Sequence, residues 1–221
     1  MKRFNVAIDG PSGAGKSSIA DAIAAHYSLI HLDTGAMYRA IAWKLDSMGV
    51  SPDASNLEER LADISLEMPE GKVIVDGQDV SSLIRQPEVS NLASLYSALT
   101  PVRKRLVLMQ QEIAKNKGYI LDGRDICDVV LPDAEVKLYL DAAPEARAKR
   151  RMLQNQEKGI NQSYDEVLES IIKRDERDKN REQAPLRVSK DAVLIDSSDI
   201  SFDQTVVAAI CVIEHAINHS A

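Results

Sequence analysis

Gly10-Pro11-Ser12-Gly13-Ala14-Gly15-Lys16-Ser17 decides how the rest of this chain is read. The stretch satisfies the P-loop pattern G-x-x-x-x-G-K-[ST] at every position. An apolar run precedes it (Phe4, Val6, Ala7, Ile8), and an Ala/Ile-rich segment with helical spacing follows it. Those flanks give the string its physical content. A strand must deliver the loop and a helix must begin where it ends, so that free N–H groups and the helix dipole face anionic oxygens. Gly10, Gly13 and Gly15 allow the sharp turn that aims those N–H groups. The pattern assigns Lys16 to the β- and γ-phosphates of a nucleoside triphosphate and the Ser17 hydroxyl to Mg²⁺. Pro11, Ser12, Ala14 and Ser18 complete the expected binding segment.

The 221-residue chain can bury one sizeable core with small appendages. With 44% hydrophobic and 28% charged residues, it reads as globular, and a net charge of −7 disfavours a nucleic-acid binder held by a broad basic surface. A small anionic substrate stays compatible, because a few local arginines overcome a weak global field. Cys127 and Cys211 lack metal-ligand spacing, and nothing in the pattern calls for a disulfide. Met1-Lys2-Arg3 leads straight into the first apolar run, and no run approaches the roughly 18 residues needed to span a bilayer. The expectation is a cytoplasmic monomer with neither nucleic acid nor membrane among its partners.

Apolar runs at Phe4–Asp9, Leu29–Leu32, Tyr119–Leu121, Val136–Leu140 and Ala192–Ile195 alternate with segments of helical periodicity. Short buried strands alternating with helices predict an α/β fold with a mainly parallel sheet covered by helices on both faces. The runs end at Asp9-Gly10, Asp33, Asp122-Gly123, Asp141 and Asp196. Ligands bind outside the carboxyl ends of such strands, so functional residues should gather there. Two regions break the rhythm. Residues 50–97 contain Ile64–Met68, Pro69-Glu70-Gly71-Lys72, Val73–Val75 and Asp76-Gly77, which predict an inserted β-hairpin followed by short helices. Arg147–Arg181 is dense in charge and predicts two helices joined by a mobile turn within Gln154–Ser163. Ser201–Asn218 predicts a closing amphipathic helix. The division is therefore a core of 1–49, 98–146 and 183–221, an insertion of 50–97, and a lid with its flanking helices over 147–182.

Three further clusters carry chemistry. His31-Leu32-Asp33-Thr34-Gly35-Ala36-Met37-Tyr38-Arg39 places Arg39 near the start of a helix expected after Gly35. There its guanidinium can fork onto a phosphate, or it can be a solvated helix residue. Leu121-Asp122-Gly123-Arg124-Asp125 is an apolar strand ending in a carboxylate, the pattern of a Mg²⁺-holding Asp. Arg124 with Asp125 also reads as a plain surface pair. Arg174, Asp178 and Arg181 fall at i, i+4 and i+7, one helical face, as a substrate clamp requires. An exposed helix laced with ion pairs is the plainer alternative. A kinase with a phosphorylated acceptor must neutralise two anions and exclude water, and an arginine-rich lid does both.

Taken together, these motifs resemble the bacterial cytidylate kinase family over essentially the full length. The pieces are Ala7–Ser17, Leu32–Arg39, Leu121–Asp125 and Arg174–Pro185. The resemblance implies a P-loop core whose five-stranded parallel sheet is flanked by helices, with an inserted monophosphate-binding domain and a small helical lid. It implies transfer of the ATP γ-phosphoryl group to CMP or dCMP with Mg²⁺. It assigns Arg39, Arg124 and Arg181 to the acceptor phosphate, Ser94, Arg103 and Asp125 to the cytosine edge, and Arg174 and Asp178 to the ribose. Thr34 and Tyr38 belong to the same substrate motif. Lys16, Arg124, Arg174 and Arg181 are the implied catalytic set, with Arg150 or Arg151 from the lid on ATP. Ser17 and either Asp33 or Asp122 are implied at Mg²⁺. Cytosine suits this group: its N4 amino group donates to a carboxylate, and its O2 and N3 accept from Arg103 and Ser94.

One segment departs from the family pattern. Gly-Thr is usual where Cys127-Asp128 stands. Cys127 sets a side chain where glycine is usual, and Asp128 adds negative charge near an anionic site. The expectation is a thiol-sensitive activity. Alternatives are a P-loop kinase for UMP, AMP or shikimate, a GTPase switch (which lacks its N-K-x-D signature here), and a non-catalytic ATP-binding module.

Overall fold

The structure, a computed structural model, describes residues 3–69, 71–157 and 159–219. In chain order the elements are β1 (Val6–Asp9), α1 (Lys16–Tyr27), β2 (Ile30–Asp33), α2 (Thr34–Ser47), α3 (Leu57–Ala62), β3 (Leu66–Glu67), β4 (Ile74–Val75), β5 (Gln78–Asp79), α4 (Pro87–Tyr96), α5 (Thr100–Ala114), β6 (Tyr119–Gly123), β7 (Val136–Asp141), α6 (Pro144–Glu157), α7 (Tyr164–Asn180), β8 (Val193–Asp196) and α8 (Phe202–His219). A 3₁₀ turn spans Leu83–Arg85 and a π-helical turn spans Ile126–Val130.

The large sheet has strand order β2-β6-β1-β7-β8. β1 pairs in parallel with β6 and β7, placing Asp9 opposite Gly123 and Tyr139, and Ile8 opposite Asp122. Every residue of β1 is buried, which is why its sequence runs apolar without alternation. Val6 and Ile8 join Ile120, Leu138 and Leu140 from neighbouring strands and Ile19 and Ile23 of α1 in one core, with Ala209 and Ile213 of α8. Each large aliphatic side chain in it contributes roughly 1.5–3 kcal/mol by leaving water. α8 begins with reciprocal caps: Ser201 Oγ accepts the Gln204 N–H at 3.2 Å, and Gln204 Oε1 accepts the Ser201 N–H at 2.8 Å.

The chain forms two compact units, residues 1–31 with 114–221, and residues 32–113. The second takes in the 50–97 stretch together with α2 and α5. Its α2 buries Met37, Ile41 and Leu45 and packs on α4 and the 3₁₀ turn. Tyr96 of α4 is buried, with its hydroxyl donating to the Val50 carbonyl at 2.5 Å.

Four local readings are corrected. The expected hairpin is a three-stranded antiparallel sheet, β3-β4-β5, because Asp76-Gly77 with φ of 49° and 77° makes a second tight turn. α2 starts at Thr34, ahead of Gly35, because the Asp33 side chain caps it. α6 runs through Glu157, so Gln154–Glu157 are helical, and the Ser163–Glu166 capping box starts α7. Arg181 lies just beyond α7 with extended backbone (φ −63°, ψ 140°), so it leaves the helical face expected to carry it with Arg174 and Asp178.

Candidate active site

In the first unit, β1 delivers the loop and α1 begins at Lys16, immediately after it. Gly10 has φ +150°, and a Cβ there would sit 2.0 Å from the Leu140 carbonyl oxygen of β7. The Lys16 ammonium is buried and donates to the carbonyls of Gly10 at 2.9 Å and Pro11 at 2.8 Å. Burial lowers its pKa to about 7, and the charge of Arg124 pushes the same way.

Ser17 Oγ donates to Asp122 Oδ2 at 2.8 Å. Asp122 Oδ1 faces His31 Nε2 at 3.0 Å, and His31 Nδ1 faces Asp21 Oδ1 at 2.7 Å. Burial alone would lower the His31 pKa, but hydrogen bonds and charge from Asp122 and Asp21 raise it to about 9. Asp122 is held below the usual carboxylate range although burial opposes its charge, because His31, Lys16 and Ser17 all favour the anion. The expected pairing of Ser17 with a strand-end carboxylate is thus present with Asp122.

Further along the same sheet edge, Arg124 Nε donates to Asp178 Oδ2 at 2.9 Å, and Arg181 NH2 meets Asp125 Oδ1 at 3.5 Å. Arg181 Nε also donates to the Ala184 carbonyl. Arg174 acts electrostatically on both Lys16 and Asp178. The two lid arginines part company. Arg151 NH2 reaches Ser12 Oγ at 3.4 Å, whereas Arg150 is directed to Ser197 beyond β8, with NH1 at 3.1 Å from its hydroxyl.

Several residues with structural work here carried no assignment from sequence. Asp9 is buried and accepts the N–H of Ile126 at 2.7 Å and of Cys127 at 2.9 Å, capping the π-helical turn. Burial raises its pKa to about 6 against those two bonds. Its signal was visible only as the polar end of the first strand. His31 stood beside the second motif without a role, and Arg147 and Asp175 were lost among other charges.

The Cys127 and Asp128 expectations are overturned. Cys127 is fully buried, with Sγ 3.7 Å from the Ala7 and Leu138 carbonyls, and burial pushes its thiol far above the usual range. A buried thiol held neutral is a small hydrophobe, not a reactive nucleophile. Asp128 turns to Arg187, at 3.1 Å, and to Ser189, so its charge is answered locally.

In the second unit, Asp33 Oδ1 accepts the Ala36 N–H at 2.9 Å and Oδ2 takes Arg39 NH2 at 2.8 Å. A Cβ on Gly35 would lie 3.1 Å from both Arg39 NH1 and Asp33 Oδ1, so the glycine leaves room for this pair. The Nε of Arg39 and the Oγ of Ser94 are buried without hydrogen-bond partners. Arg103 is buried, with NH1 3.4 Å from the Ser97 carbonyl. Thr34 is buried in the first turn of α2, and Tyr38, one turn on, is half-buried.

The architecture and the loop define an α/β P-loop NTPase fold. A gluconokinase structure from Sinorhizobium meliloti shares the fold at a TM-score of 0.53 and 14% identity, covering 99% of this chain and 98% of that one. Sequence narrows the class. The cytidylate kinase family model matches residues 6–215. A cytidylate kinase of Caldicellulosiruptor bescii is 50% identical over 209 residues, 92% of each chain. One of Ligilactobacillus salivarius is 42% identical over 224 residues, 99% of this chain and 100% of its own. The chain belongs to the cytidylate kinase family.

Proposed function

We propose that this protein transfers the γ-phosphoryl group of ATP to CMP or dCMP, giving CDP or dCDP and ADP. The observation that carries the reading lies within one unit. A complete donor loop and the pairs Arg124–Asp178 and Arg181–Asp125 share the carboxyl edge of the large sheet. Lys16 and the loop N–H groups hold the β- and γ-phosphates. Arg174 and Arg151 neutralise charge on the migrating group, and Arg124 and Arg181 hold the acceptor phosphate. Arg124 is held on Asp178 through Nε, and Arg181 on Asp125 and the Ala184 carbonyl, which orients both guanidinium groups at this edge. Catalysis is positioning plus electrostatics, with no covalent intermediate.

Ser17 and Asp122 present two hard oxygen donors 2.8 Å apart, which suit Mg²⁺. Bound there, Mg²⁺ would offset negative charge on the β- and γ-phosphates. Asp33 is assigned instead to holding Arg39, since its two oxygens already serve the α2 cap and that guanidinium. In the second unit, Arg39 takes an acceptor-phosphate role, with Thr34 and Tyr38 in the same motif. Arg103 and the Ser94 hydroxyl, which is buried without a hydrogen-bond partner, are base readers of the second unit, and Asp125 is one of the first. Uracil reverses the donor pattern at the edge they read, leaving buried groups unpaired.

Initial rates with CMP, dCMP, UMP and AMP at fixed ATP test the assignment. CMP or dCMP should exceed UMP by roughly a hundredfold or more in kcat/KM. A preference for UMP or AMP would refute the base assignment, and no transfer to any of them would refute the enzyme. The accompanying reading is a monomeric cytoplasmic enzyme of pyrimidine nucleotide metabolism. Among the described residues, no helix is long and apolar enough to cross a membrane.

A further inference from the structure

Arg147 sits at the start of α6 and is buried together with Asp175 of α7. Its fork reaches three places at once. Nε donates to the Ala142 carbonyl at 2.7 Å, NH1 donates to the Ser12 carbonyl at 3.0 Å, and NH1 and NH2 grip the Asp175 carboxylate at 3.1 and 2.5 Å. Ser12 is in the middle of the donor loop. In a trans peptide the C=O and the next N–H point in opposite directions. A Ser12 carbonyl held by Arg147 therefore turns the Gly13 N–H away from Arg147, and that N–H is one of the loop's phosphate donors.

The other end of the contact is equally placed. Asp178 lies three residues after Asp175, about one helical turn, and receives Arg124. One helix is thus fixed to the donor loop through Arg147–Asp175 and to Arg124 through Asp178, and Arg181, just past its end, meets Asp125. Helix packing does not require the ion pair, because Ala148, Val167 and Ile171 already form an apolar cluster joining α6 to α7. Buried ion pairs are poor substitutes for apolar packing as stabilisers.

We propose that Arg147 and Asp175 are a positioning pair that couples occupancy of the donor loop to the acceptor arginines through α7. The inference rests on the donor and acceptor roles given under the proposed function. A loop filled by ATP holds the Ser12–Gly13 peptide in one orientation. Arg147 transmits that orientation to α7, which sets Asp178 and hence Arg124 for the acceptor phosphate. Lysine cannot replace this fork, since a single ammonium cannot serve all of these acceptors.

Calorimetric titration of CMP, with and without a saturating non-hydrolysable ATP analogue and Mg²⁺, tests it. In the wild-type protein the analogue should tighten CMP binding about tenfold, within the usual range of site coupling. In Arg147→Met/Asp175→Leu, which removes both charges together, the protein should melt as a folded domain with coupling below about twofold. Arg147→Lys should lose coupling similarly and is read if the double variant does not fold. A purely structural pair would let coupling return with stability, so either variant with wild-type coupling overturns the proposal, as does a wild-type protein with none. Absence of CMP binding would instead overturn the base assignment, and titration with inorganic phosphate then reads the coupling.

Discussion

Two buried aspartates lie at the carboxyl ends of adjacent strands and are held in opposite ways. Asp9 ends β1 and Asp122 lies at the end of β6, one residue out of register with it. Asp9 receives the backbone N–H groups of Ile126 and Cys127 and the Cys127 thiol, with no cation among these partners, and burial pushes its pKa up to about 6. Asp122 receives Ser17 and His31 with Lys16 nearby, and it stays anionic against the same burial. The lesson is that position at the strand end does not make a carboxylate functional. Its partners decide: N–H groups make Asp9 a joint, and cations with a hydroxyl keep Asp122 anionic, as the proposed Mg²⁺ role requires.

The largest effect should come from the cation on the Asp122 side. Lys16→Ala should bind CMP but lose roughly a thousandfold or more in kcat, since it removes the charge that faces the transferring group. Near-normal turnover in a single-turnover assay would break the mechanism.

The two aspartates should then separate. Asp122→Asn should lower kcat roughly a hundredfold and raise the Mg²⁺ concentration needed for half-maximal rate. Asp9→Ala should leave kcat within about threefold while the melting temperature falls by roughly 4–10 °C, because two buried N–H groups lose their acceptor. Equal kinetic losses in the two variants would erase the contrast.

The pH dependence of stability divides the same two corners. Both upward shifts make folding less favourable as pH rises, but in different windows. The His31 contribution is complete below pH 6.5 and lost as pH rises through about 9. The Asp9 contribution is complete below pH 3.8 and lost as pH rises through about 6. Melting curves of His31→Gln should therefore converge on wild type between pH 6.5 and 9, with no change of slope at pH 4–6.

The smallest effect belongs to Cys127. Cys127→Ala should cost about 1 kcal/mol, from the lost packing of one sulfur, with unchanged kcat. Iodoacetamide should label exposed Cys211 and spare Cys127 in the native protein.

How much of this was legible follows from sequence distance. The loop, the strand alternation and the closing helix are short-range patterns, and periodicity reads them directly. Apolar runs end on both Asp9 and Asp122, and Asp122 was legible because Gly123-Arg124-Asp125 follows it in a recognisable motif. Asp9 was not, since its partners lie 117 and 118 residues away. His31 was missed for the same reason, with Asp122 91 residues distant. The third strand of the small sheet escaped because Gln78 and Asp79 are exposed and carry no apolar signal. Helical spacing also overreached at Arg181, where equal intervals cannot show that the helix has already ended. Arg150 and Arg151 are neighbours in sequence, and only their divergent partners distinguish them.

The contact of Gly10 with β7 changes what the loop motif records. A side chain at that position would collide with the Leu140 carbonyl oxygen whether or not a nucleotide were bound. The first letter of the signature is thus a demand of the neighbouring strand. Gly15, where a Cβ would meet nothing within 4 Å, answers to backbone conformation alone. The two glycines look alike in the pattern, yet one is an inheritance of the sheet and the other of the turn. A redesigned loop that abandoned phosphate altogether would still have to keep Gly10 for as long as β7 lay beside it.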